Sequence, residues 1–120
     1  MNYPKVPVSV GELIDKITIL QIKSKYSDNE YIKKELNHLT QIAKDLNVLN
    51  ASYIIDLTTV NQILWDIEDE IRLLEKDNRF DDRFIDLARK IYKNNDKRAE
   101  IKRKINEETN SDYKEIKIFS

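Results

Sequence analysis

Apolar residues recur along this chain mostly at helical spacing. From Leu13 to Tyr26, and again through Ile32, Leu36, Leu39, Ile42, Leu46 and Leu49, they step by three and four. Tyr53, Leu57, Val60, Leu64, Ile67, Ile71 and Leu74 follow. From Leu57 the steps run 3, 4, 3, 4, 3, a heptad seam suited to packing against another long helix. A last stripe passes through Phe84, Leu87, Ile91, Ile101 and Ile105. The pattern predicts four helices at roughly 10–26, 28–48, 52–76 and 82–108. Ser9-Val10-Gly11-Glu12 and Ser27-Asp28-Asn29-Glu30 both have the Ser-x-x-Glu form of a capping box, and Asp81 or Asp82 suits the start of the fourth helix. Two segments alternate instead. Val6, Val8 and Val10 bracket Pro7 and Ser9, and Ile116 and Ile118 flank Lys117. Lone strands are unstable, so residues 5–8 are expected to pair with 116–119. The expected fold is mainly all-α: one domain over 1–120, two antiparallel helical hairpins, and a two-stranded β-ribbon joining the termini.

Composition narrows the chemistry. Among 120 residues there are one glycine, one histidine, two prolines and no cysteine. A glycine-rich phosphate loop, a thiolate nucleophile, a disulfide scaffold and a multi-histidine metal site are excluded. No apolar run resembles a signal peptide or a membrane span, which makes a cytoplasmic protein the expectation. Lys+Arg 21 against Asp+Glu 22 gives a net charge of −1, which argues against a nucleic-acid partner. Residues 1–60 hold 7 basic and 7 acidic side chains, leaving 14 and 15 for residues 61–120. The second half is therefore charge-dense without changing sign.

Candidate chemistry lies where polar residues interrupt apolar faces. The first helix is apolar on nearly all sides, with Glu12, Lys16 and Lys23 on a narrow polar arc. Asp15 falls inside its second apolar face, near Thr18. A buried carboxylate must be paired or neutralised, so Asp15 is either a structural ion-pair partner or cap to another helix, or a metal-binding or general-base group. In the fourth helix the stripe stops at Ile91 and resumes at Ile101, across Asn94, Asn95, Asp96, Lys97 and Arg98. An inward Arg98 would suit Asp15 or a bound phosphate. The third helix carries Asn61, Trp65, Glu68, Arg72 and Glu75 beside its seam, Glu68 and Arg72 being spaced for a helical ion pair. Asp66, Asp69 and Glu70 share a face and form a weak candidate site for Mg²⁺. His38 reads as a surface residue.

Three blocks of sequence resemble domain-of-unknown-function family 6165, a group of small bacterial and phage proteins. They are Ser9-Val10-Gly11-Glu12-Leu13-Ile14-Asp15-Lys16-Ile17-Thr18-Ile19-Leu20, then Leu64 to Arg72, then Leu87 to Tyr92 continuing through Asn95–Ala99 to Ile101–Asn106. The resemblance implies a small helical domain and no particular reaction. It implies a loose association with glycosyltransferase or cell-envelope glycan genes. Its motif residues here are Glu12, Asp15, Lys16, Thr18, Trp65, Glu68, Arg72, Arg89, Tyr92, Asn95, Asp96, Arg98, Lys102, Arg103 and Asn106. The family's usual glycine after the last helix is Asn110, which also tolerates a left-handed backbone.

Two functions compete. One is an interaction or accessory domain, a homo-oligomer or bound to another protein and needing no cofactor, with the third-helix seam and the all-round apolar first helix as its support. The other is a site for a phosphorylated small molecule, a nucleotide or nucleotide-sugar, bound or hydrolysed between helices one, three and four. There Arg72, Arg89, Arg98 and Lys102 would clamp phosphate, Trp65 or Tyr92 would stack, and Mg²⁺ would sit on Glu12, Asp15, Glu68 or Asp69. The spacing of Glu12/Asp15 and Asp66/Asp69 is similar to the paired carboxylates of helical pyrophosphohydrolases of the MazG type, whose full pattern is not met. Leu13-Ile14-Asp15-Lys16 also resembles the opening of helical chorismate mutases, a third and weaker alternative.

Overall fold

The computed structural model describes residues 2–118. It holds four helices: α1 (Val10–Tyr26), α2 (Glu30–Asp45), α3 (Ala51–Lys76) and α4 (Asp82–Glu108). Each start is set by a side chain that satisfies a free backbone N–H. Ser9 accepts from Glu12, Asn50 from Ser52 and Tyr53, and Asp81 from Arg83 and Phe84. The second capping box does not form. Asn29 caps α2 through Tyr31 N–H, while the Ser27 hydroxyl accepts from Asn29 N–H. With its one glycine placed elsewhere, the chain ends three helices on asparagine. Asn47, Asn78 and Asn110 all have positive φ, at 58°, 54° and 52°. Asparagine is the side-chain-bearing residue that enters this region most readily. In each case the next N–H closes back onto the helix: Val48 on Ala43 O, Arg79 on Leu74 O, Ser111 on Asn106 O.

α1 is the central element. It packs against each of the other three helices, whereas α2 approaches α1 alone. That placement accounts for an α1 apolar on nearly every side: Leu13, Ile14, Ile17, Leu20 and Ile22 are all buried. The main core joins Leu13, Ile14 and Ile17 to Ala43, Leu57, Val60 and Ile105. A second core of Ile67, Leu74 and Leu87, flanked by Ile71, Phe84 and Ile91, is built from α3 and α4 alone. The molecule therefore has a four-helix base and a two-helix arm, within extents of 48 × 35 × 26 Å. The heptad seam of α3 is consumed inside the chain: Leu57 and Val60 join the main core with α1, and Ile67, Ile71 and Leu74 pack in the arm core with α4. It is not available to a second molecule.

The expected β-ribbon is absent. Among the described residues there is no strand, and the fold is all-α. Both tails leave from one corner, where Val10 N–H donates to the Ser111 hydroxyl at 3.0 Å, but they diverge. The N-terminal tail turns toward α2, where the Tyr3 ring meets His38 edge-on at 5.1 Å. The C-terminal tail runs back along α4, with Glu115 at 3.2 Å from Lys102 and Lys117 paired with Asp96. An aromatic contact with α2 and charged contacts with α4 replace strand pairing. Phe119, the last residue of the expected second strand, lies outside the described residues.

Candidate functional site

The polar interruptions in α1 and α4 meet. Asp15 is fully buried, and Arg98 reaches across from α4 to hold it. Arg98 Nε donates to Asp15 Oδ1 and Oδ2 at 3.0 and 3.1 Å, and Nη2 donates to Oδ2. Asn61 Nδ2, from α3, donates to Asp15 Oδ1 at 2.8 Å and to the Thr18 hydroxyl at 2.9 Å. Thr18 donates in turn to the Asp15 carbonyl at 2.7 Å. One carboxylate thus ties three helices together. A fork-shaped guanidinium suits this task better than an ammonium, because it gives two donors in fixed geometry.

Lys102 lies one turn further along α4. Its ammonium is 2.9 Å from Glu12, 3.2 Å from Glu115 and 3.9 Å from Asp15. Desolvation alone would lower the pKa of this amine, but the hydrogen bond it donates to Glu12 and the charges of Glu12 and Asp15 outweigh it, so the pKa ends above the ordinary lysine value. The bond to Asp15 likewise raises Arg98. A raised folded-state pKa adds stability that is complete below the unfolded value and is lost only as the pH rises through the folded one. Both cations therefore hold the lock at neutral pH, and their contribution is lost in strongly alkaline solution.

The lock ends at the start of α1. Gly11 N–H donates to Asn106 Oδ1 at 2.6 Å. A Cβ at Gly11 would stand 2.7 Å from the Lys102 carbonyl oxygen and 3.1 Å from its Cα. Glycine is required here for close helix approach. Its φ is not positive, so backbone freedom is not the reason.

Of the residues singled out from sequence, Glu12, Asp15, Thr18, Arg98, Lys102 and Asn106 converge. The rest do not. Lys16 pairs with Glu35 of α2 at 3.1 Å on the surface, and Glu68 with Arg72 at 3.3 Å along α3. Trp65 stacks on Tyr26 at 5.1 Å with the planes 8° apart, clamping the end of α1 to α3. Arg89 lines a separate groove of about 600 Å³ between α3 and α4, with Asp66, Glu70 and Arg83. Glu70 there accepts two 2.6 Å bonds from Arg83, which hold its pKa below the ordinary value. Asp66 accepts from Gln62, and Asp69 is exposed. Among the described residues no three His, Cys, Asp or Glu side chains are grouped to hold a metal ion. Tyr92, Asn95 and Asp96 lie exposed on α4, and Asp96 is engaged by Lys117.

Sequence reasoning names Asn61 only as a polar neighbour of the α3 seam, without tying it to Asp15, and misses Glu115. Asn61 had a signal. It stands four after Leu57 and three before Leu64, inside the apolar stripe. Glu115 had none, since nothing local places the tail on α4.

The family model described as "Family of unknown function (DUF6165)" matches residues 4–120. The chain belongs to this family. The lock residues from Gly11 to Glu115 all fall within the DUF6165 match. Comparisons with curated proteins and with solved structures each find no match. No described helix is long and apolar enough to cross a membrane.

Proposed function

We propose that this protein is an interaction module without catalytic activity, in which the locked base presents the α3–α4 arm to a protein partner. The observation that carries this reading is the arm itself. It has its own core, α1 and α2 contribute nothing to that core, and it leaves Leu73, Phe80, Ile85 and Tyr92 exposed. Large apolar side chains left exposed on a charge-rich arm suit a docking face. The polar cluster supports the same reading. Both Asp15 oxygens are engaged, Lys102 is surrounded by three carboxylates, and Arg98 keeps only 27 % of its side chain exposed.

A second reading rests on a shallow depression of about 420 Å³ above Arg98 and Lys102, walled by the tail from Glu115 to Ile118. There Glu115 already holds Lys102, so a phosphorylated ligand would compete with its carboxylate. One experiment separates the two. Thermal melting is followed with millimolar nucleotides and nucleotide-sugars, with and without Mg²⁺. The expected result is no shift. A stabilisation that disappears in Arg98→Lys would replace the interaction reading with the ligand reading.

A further inference from the structure

The outer face of α4 carries a second apolar seam that the fold leaves uncovered. Ile85, Ala88, Tyr92, Asn95 and Ala99 follow one another at steps of 3, 4, 3 and 4. This is the heptad register of a helix that expects a neighbour, yet Ile85 and Tyr92 are each 54 % exposed. The inner face of the same helix is already satisfied by α3 and α1. At its C-terminal end the seam continues onto the tail, whose Ile116 and Ile118 are 79 % and 83 % exposed while Glu115 and Lys117 grip α4 beneath them. Helix and tail together make one apolar strip.

The charges beside that strip identify what covers it. Arg89 and Asp96 stand seven residues apart, two helical turns, on the same flank. Arg89 has no carboxylate within ion-pair distance among the described residues, and Asp96 holds only Lys117. The midpoint between Arg89 and Asp96 lies beside Tyr92 and Lys93. A two-fold axis at that point, perpendicular to α4, sets Arg89 of each copy against Asp96 of the other. It also carries Ile85 of each copy over the tail isoleucines of the other. An unrelated partner would need no such symmetry, whereas an isologous interface demands a patch that is its own complement. We infer that a second copy of this chain docks antiparallel along α4, with each tail clasping the other copy's arm. This rests on the interaction reading and names the partner as the chain itself.

Light scattering on the purified full chain at tens of micromolar tests it. The wild type is expected to be a dimer. Tyr92→Glu is expected to weaken association at least about tenfold, equivalent to about 1.4 kcal/mol. Its melting curve should keep its cooperativity, because Tyr92 is exposed. Arg89→Glu and Asp96→Arg are each expected to weaken the dimer alone, and to form a heterodimer when mixed, since both cross-pairs are then opposite in sign. A monomeric wild type overturns the inference, and so does a dimer indifferent to Tyr92→Glu or a mixture that fails to recover. These failures are distinct from failure of the interaction reading, which is judged by ligand-induced melting shifts.

Discussion

Replacing Asp15 with alanine is expected to lower the free energy of unfolding by about 3 kcal/mol, read from chemical denaturation. Removing one member of a buried ion pair costs about 3–5 kcal/mol because the other charge stays behind. The lower end applies here, since Arg98 keeps an edge in water. The loss goes beyond Arg98, because Asn61 Nδ2 also loses an acceptor. Small domains are stable by only about 5–15 kcal/mol, so the variant sits near the limit of folding. Asp15→Leu combined with Arg98→Met is expected to recover at least half of the loss, because an apolar pair of similar volume leaves no stranded charge. A cost under about 1 kcal/mol for Asp15→Ala would show that the cluster is not what ties α1 to α3 and α4.

Gly11→Ala is expected to be nearly as damaging, although it adds one methyl group. The methyl would meet the backbone of Lys102, which cannot rotate away. Overpacking of this kind costs about 1–3 kcal/mol. Alanine's better helix propensity offsets only about 1 kcal/mol of it. Separating α1 from α4 also stretches the Gly11–Asn106 bond and the contacts of Lys102. The expected net loss is about 2 kcal/mol, seen as a fall in melting temperature of several degrees. An unchanged or raised melting temperature would mean that the helices can part at no cost.

Local rules made much of the architecture legible. Ser9 and Asp81 cap where sequence places them because a cap depends on neighbours within three residues. The α3 seam was visible in its spacing, but spacing does not say whether the partner helix is in the same chain. Here α1 and α4 fill it. Ser27 misled because Asn29 stands closer to the first turn and offers an equally good oxygen. The β-ribbon failed because alternation reports an extended backbone and not its partner. Each tail found charged or aromatic contacts on a helix first. Asp15 and Arg98 were both marked by polarity at apolar positions, and their pairing follows from burial. Gly11 was read as a helix-start residue. What it spares is a clash with a turn some ninety residues away, which no local pattern encodes.

The division into base and arm has a kinetic side. α3 and α4 are joined by a short turn, so their contacts close small loops. α1 meets α4 only across long separations, 95 residues for Gly11–Asn106 and 83 for Asp15–Arg98. Closing longer loops costs more entropy, so the hairpin is expected to form before α1 docks. Substitutions in the arm core, such as Leu87→Ala, should then slow refolding. Substitutions in the lock should chiefly hasten unfolding, and stopped-flow chevrons of the two classes would separate them. The residues that give this chain its native lifetime would then be those that join its two ends.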